Sequence, residues 1–208
     1  MSPRRPAALR NGGDQTLRGL LVASATHLIA AHGTVGITVR AVATEAGVAQ
    51  GALYNHFDDK EELIALALHE YVHSVMHDLN LPAAGTSTVE ANLRVYVEVG
   101  LSTLARVLPA FGGIVGQPKL MARFVNHFSD DLSGGIPDLF GNYLRAEQAL
   151  GRIAADADVD ATAVLIVGAC HTEALPSLFH GAPETHLVVK PGFVDGLVRT
   201  VLNGIAPR

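Results

Sequence analysis

His69, Glu70 and His73 stand in the order His-Glu-x-x-His (HEYVH), and on a helix this spacing puts both imidazoles on one face, a turn apart, with a carboxylate beside them. Zinc peptidases use this donor set to hold a metal and polarise its bound water, a chemistry that needs a third protein ligand. His77 continues the stripe, but it lies about 12 Å along the axis from His69 and cannot share one ion with it. The glycine and third histidine of the longer metalloprotease pattern do not follow. A sensed metal would therefore need a donor from elsewhere, with His127 and His171 as candidates. The alternatives are histidines that flank a core or line an organic-ligand pocket. In the segment CHTEA, Cys170 and His171 are neighbours and point about 100° apart on a helix, so they form no nucleophilic dyad. Cys170 reads as core and His171 as a pocket candidate. No catalytic set emerges, and neither an enzyme, a resident cofactor nor a metal centre is expected.

The elements that position these side chains read as helices separated by Gly and Pro. A first helix is expected over Thr16 to His32, ended by Gly33. Two short helices follow: VRAVATEA, capped by Thr38 and stopped at Gly47, then AQGALYNHF. Asp59 and Glu62 make a capping box for a helix running from Lys60 to about Leu79, with Leu63, Ala67, Tyr71 and Val75 on its apolar face. LPAAGTS reads as a linker. Ser87 and Glu90 suggest a second capping box, opening a helix to about Leu108, before Pro109. First-turn prolines at 118 and 137 start segments 118–129 and 137–150, with DDLSGG between them. Asp160 is positioned to cap a helix from Ala161 to Phe179, whose Val164, Leu165, Val167 and Gly168 suggest burial nearly all round, and a last helix spans about Gly192 to Leu202.

Composition narrows the class. The chain has 208 residues, 49% apolar and 17% charged, enough for a substantial core and against disorder. One cysteine excludes a disulfide framework and fits a reducing cytoplasm. No signal peptide is evident, and the most apolar run, Val159 to Cys170, is shorter than a membrane span, so no membrane partner is expected. The net charge of −5 is uneven: residues 1–60 hold six basic and four acidic side chains, the rest nine and sixteen. The mildly positive end is the one that would face a polyanion.

That end also carries the most informative pattern. Two short helices joined by a Gly-containing turn, flanked by longer helices, make a helix-turn-helix. Gly47 supplies the left-handed turn, Ala43 and Ala46 allow close helix approach, and Val48 plugs the junction. Gln50, Ala52 and Asn55 are then presented outward, as short or amide side chains suited to base edges and methyl groups. The segment GITVRAVATEAGVAQGALYNHFDDKEEL, residues 36–63, resembles the DNA-binding signature of the TetR family of transcriptional regulators, through the Thr38 cap, the AGV turn at 46–48, Gly51, Leu53, Tyr54, Phe57, Lys60 and Leu63.

The resemblance implies that Thr38, Tyr54, His56 and Lys60 hold phosphates, that Arg40, Gln50 and Asn55 are candidate base readers, and that Gly51 permits close backbone approach. Ala49 departs from the pattern, standing where the family places a Ser or Thr cap. The implied whole is an all-α, cytoplasmic, homodimeric DNA-binding regulator: a flexible arm (1–15), a helix-turn-helix domain (16–62) and a larger ligand-binding and dimerisation domain (63–208), with helix 60–79 linking the two. Its partners would be double-stranded DNA carrying a palindromic operator, a small and largely apolar effector that releases the repressor, and a second copy bound through helices at about 160–180 and 192–204. Tyr96, Phe111, Met121, Phe124, His127, Phe128, Tyr143 and His171 are the candidate effector-contacting residues. Regulation through a metal on His69, His73 and His77 is the alternative.

Overall fold

The computed structural model describes residues 14–128, 135–179, 187 and 189–204, and among these there is no strand. In chain order the described helices are α1 (Asp14–His32), α2 (Val39–Glu45), α3 (Lys60–His77), α4 (Val89–Phe111), α5 (Pro118–Phe128), α6 (Gly135–Ala149), α7 (Val159–Ala174) and α8 (Phe193–Asn203), with 3-10 segments at Gln50–Asn55 and Leu175–Phe179. The expected elements are present, and the differences lie at their ends. AQGALYNHF does not form an α-helix, because only Gln50–Asn55 winds, and it does so as a 3-10 turn. Thr88, not Ser87, caps α4 by accepting from the Ala91 amide at 3.0 Å, which leaves Glu90 free to pair with Arg94 at 2.6 Å. Asp158, not Asp160, caps α7 by accepting from Ala161 N–H at 2.9 Å, while Asp160 pairs with Arg145.

Helix α4 also continues through Pro109 to Phe111 instead of stopping before the proline. The last turn is held from outside: the buried Thr34 hydroxyl donates to the Ala110 carbonyl at 2.6 Å and accepts from Gly113 N–H at 3.0 Å. The loop after α1 is thereby fixed to the end of α4.

Two cores result. The first gathers Leu21, Ala25 and Ile29 of α1, Val42 of α2, Leu53, Phe57, and Leu63, Leu68, Tyr71 and Val75 of α3, and it also takes in Ala110, Ile114, Leu120 and Phe124. The second joins Leu93, Val97, Leu101 and Leu104 of α4 with Phe140 and Leu144 of α6, Ile166, Val167 and Cys170 of α7 and Val198 of α8. Packing does not divide at residues 62 and 63, since the helix-turn-helix shares its core with α3 and α5, and α4 alone runs through both cores. At the far end of the second core Glu147 is completely buried. Its Oε1 accepts from the Tyr143 hydroxyl at 2.8 Å and from Gly85 N–H at 3.3 Å, while Oε2 faces Arg152 Nε at 3.3 Å, so the LPAAGTS segment is tied down and is not a free linker.

Helix α7 departs from the expected all-round burial: Val167 is buried, but Val164 and Leu165 are 61% and 69% exposed, and Gly168 lies on the same open side. The apolar run is also longer than the sequence suggests. Because α7 passes directly into the 3-10 segment, Val159–Leu178 reaches 20 residues with a mean hydropathy of 1.3, which meets the length and composition of a membrane span.

The Thr34 junction leaves no room for a side chain at Gly113, where an added Cβ would stand 2.6 Å from the backbone of Thr34 and Val35, whereas at Gly116 it would meet nothing within 4 Å. Gly113→Ala is expected to lower unfolding free energy by about 1–3 kcal/mol in urea titration through this overpacking. Gly116→Ala is expected to change it by less than about 0.5 kcal/mol.

Candidate nucleic-acid interface

The recognition element is built from short-range signals. Thr38 sits in extended backbone and its hydroxyl accepts from Ala41 N–H at 3.1 Å, starting α2 with Val39, Val42 and Ala43 facing inward and Arg40 outward. The helix stops at the turn, where Gly47 takes φ +67° and the Val48 amide returns to the Ala43 carbonyl at 2.9 Å. Only glycine adopts that φ without strain. Ala46 is buried and Val48 packs against the first core.

The six residues that follow have little stability of their own, because a 3-10 turn of this length has few and poorly directed hydrogen bonds. Ala49 begins them with extended backbone and no side-chain cap. What holds them is burial of Leu53 (0% exposed) and Phe57 (3%) between α1, α2 and α3. Burying two such side chains is worth about 3–6 kcal/mol relative to exposing them. The opposite face is presented outward: Gln50, Gly51 and Asn55 are exposed, and Tyr54 is 60% exposed. Ala52 and His56 are half-buried, so Ala52 points less outward than its position in the sequence suggests.

A charged brace closes the end of the segment. The Arg18 guanidinium lies 4.8 Å from the Phe57 ring centre and pairs with Glu62 at 2.9 Å, while the other Glu62 oxygen accepts from Asp58 N–H at 2.8 Å. Asp59 caps α3 through Glu62 N–H at 2.8 Å and pairs with Arg123 of α5 at 2.6 Å. Partial burial works against the Asp59 carboxylate, but the Glu62 amide and the Arg123 guanidinium outweigh it and hold the carboxyl below its usual range. The contact therefore contributes stability above about pH 4, which is lost as the pH falls through the depressed pKa. Half-buried Lys60 begins the same helix.

The other candidates are dispersed. Tyr96 and Tyr143 stack at 4.3 Å in the second core, whereas Phe111 meets Phe124 edge-on at 5.3 Å, with Met121 nearby, at the first. These rings are divided between the two cores. His171 is exposed on α7 with Nδ1 2.9 Å from the Val167 carbonyl, and the side chains of His127 and Phe128 lie outside the described residues. Burial pushes the Cys170 thiol up to about 11, in keeping with a core role. In HEYVH the imidazoles of His69 and His73 stand 6.2 Å apart, with His77 a further 6.4 Å along, and among the described residues no group of three metal-binding side chains converges.

A recognition segment set outward on a tight turn, between long helices of an all-helical chain, defines a DNA-binding protein of the helix-turn-helix class. Residues 21–67 match the family model described as bacterial regulatory proteins, tetR family. The chain resembles the TetR family transcription regulator SCO0332 at 25% identity and a TM-score of 0.60, over 92% of this chain and 99% of that one. It also shares its fold with the transcriptional regulator FadR from Bacillus subtilis, solved in complex with stearoyl-CoA (18% identity, TM-score 0.59, 90% and 99% covered), and with a putative transcriptional regulator from Pseudomonas aeruginosa PAO1 (24%, 0.57, 94% and 90%). No curated protein matches the chain by sequence. The family model covers the helix-turn-helix end of the chain, and the fold shared with these regulators extends over most of its length.

The missing cap is a direct test of how the recognition segment is held. Ala49 already has cap-like extended dihedrals, so Ala49→Ser is expected to raise unfolding free energy by about 0.5–1 kcal/mol in urea titration.

Proposed function

We infer that the chain is a homodimeric transcriptional repressor, released from a palindromic operator by a small-molecule effector. The observation that carries this reading is the outward face of Gln50, Gly51, Tyr54 and Asn55, held on a buried Leu53–Phe57 base. Arg40, Gln50 and Asn55 are assigned to base edges, with Ala52 beside them; Thr38, Tyr54, His56 and Lys60 are assigned to phosphates. Gly51 has a negative φ, and a Cβ there would meet nothing within 4 Å, so nothing inside the chain requires glycine at this position. Close approach of a DNA backbone supplies the requirement.

The partner copy is assigned to the open face of α7 and α8. Val164, Leu165 and Leu175 are exposed together with Leu202, and an added Cβ at Gly168 would meet nothing within 4 Å, which leaves room for a second helix to approach closely. A twofold copy would bury this face and set two recognition segments to match successive major grooves about 34–36 Å apart. An effector that favours another dimer geometry would lower operator affinity by population shift. Both groups of effector-contact candidates touch α4, which belongs to both cores, so α4 joins α3 as a route to the recognition segment. The assigned location is the cytoplasm, and no catalytic role is assigned.

Lys60→Ala is expected to weaken binding to every duplex and to reduce the slope of log affinity against log salt by about one. Gln50→Ala is expected to relax base preference at one position of each half-site, read by competition among duplexes. Unchanged binding in both variants contradicts the assignment of these residues.

A further inference from the structure

A groove of about 890 Å³ runs along the side of the first core, between α1 and α3, with the end of α4 closing it. Its size falls in the range that takes a whole small organic ligand. One face of α1 forms a wall through Val22, Ala23 and Ala30, and Leu66 of α3 lies opposite. The two helices run side by side, with Arg18 beside Glu62 and the Thr26 hydroxyl donating to the Ala67 carbonyl at 3.2 Å. From Arg18 to Ala30 the groove extends about 18 Å, at 1.5 Å per residue. It is separate from the Tyr96–Tyr143 stack of the second core.

Charge distinguishes its two ends. At the first, Arg18 is already committed to Glu62 and the Phe57 ring. At the other, Arg106 lines the groove with no carboxylate partner among the described residues, beside the Tyr71 hydroxyl, which donates to the Arg106 carbonyl at 3.1 Å. Burial raises the Tyr71 pKa, keeping that hydroxyl neutral. Glu70 stands on the exposed rim of α3, also without a basic partner among the described residues. It precedes Tyr71 in the chain and so stands on the same side of the Thr26–Ala67 contact as Arg106, where a carboxylate head must be held by the guanidinium against it.

We propose that this groove is a binding site for an elongated amphipathic carboxylate, with its apolar body along Val22, Ala23, Ala30 and Leu66 and its anionic head at Arg106. A guanidinium without a carboxylate partner among the described residues, at the end of an apolar trough, matches a carboxylate head in charge and in bidentate geometry. Small side chains on α1 leave the width for an alkyl chain, and the commitment of Arg18 to Glu62 leaves Arg106 as the guanidinium that faces the head.

The test is calorimetric titration of the full-length protein with dodecanoate below its micellar concentration, with dodecylammonium and dodecan-1-ol as comparisons. Saturable binding of one dodecanoate per chain is expected, weakened about tenfold or more in Arg106→Gln and abolished in Ala23→Trp, which fills the groove from an exposed position. Dodecylammonium is expected to bind at least about tenfold more weakly than dodecanoate. Absence of saturable dodecanoate binding overturns the site, as does binding that neither variant changes. Dodecylammonium binding as tightly as dodecanoate overturns the assignment of the head group to Arg106. Both variants are first to show wild-type thermal unfolding; if either does not, Gly19→Leu, at another exposed position in the same wall, takes its place with loss of dodecanoate binding as the expected result.

Discussion

The burial of Leu53 and Phe57 is the constraint on which the outward face of Gln50, Tyr54 and Asn55 depends. A six-residue 3-10 turn without a side-chain cap cannot fix the direction of Gln50, Tyr54 and Asn55 by its own hydrogen bonds. Its geometry is borrowed from the core beneath it, built by α1, α2 and α3 and closed by α5. Any change in how those helices pack therefore reaches the recognition segment.

Helix α4 ties that core to the rest of the chain. Its first turns carry Leu93, Val97 and Leu101 into the second core, while Ala110 at its end sits in the first. Thr34 bonds across this end to Ala110 and Gly113, and Asp59 joins the start of α3 to Arg123 of α5. The loop that leads into α2 and the cap that begins α3 are thus both fastened to elements of the second half. A displacement of α4 or α5 has two mechanical attachments to the helix-turn-helix, at opposite ends of it.

The parts legible in the sequence are those set by short-range chemistry. Gly47, the Thr38 cap, the burial of Phe57 and the Asp59 cap all specify their structures within a few residues and appear as expected, while the Glu62 carboxylate of the expected capping box accepts from Asp58 N–H instead of Asp59 N–H. The sequence does not separate the caps where two adequate acceptors stand close together, Ser87 with Thr88 and Asp158 with Asp160, because local sequence does not decide which oxygen meets the amide. The continuation of α4 past Pro109 depends on Thr34, 76 residues away from Ala110, and no periodicity reports such a contact. Helix α7 differs from its sequence pattern for another reason. An apolar helix covered by its own chain and one left open for a partner have the same composition, and only the structure separates buried Val167 from exposed Val164 and Leu165. The aromatic effector candidates are divided between the two cores, because α4 carries Tyr96 and Phe111 to different ones, and a core ring and a pocket ring are one residue type.

The central claim is that two copies of this chain read a specific duplex through the Gln50–Asn55 face. Selection from a pool of random duplexes with the purified protein at moderate salt, followed by sequencing of what is retained, tests it most directly. An enriched palindrome with half-sites about one helical turn apart is the predicted result. Folded protein, free of co-purified ligand, that enriches no sequence would contradict the account.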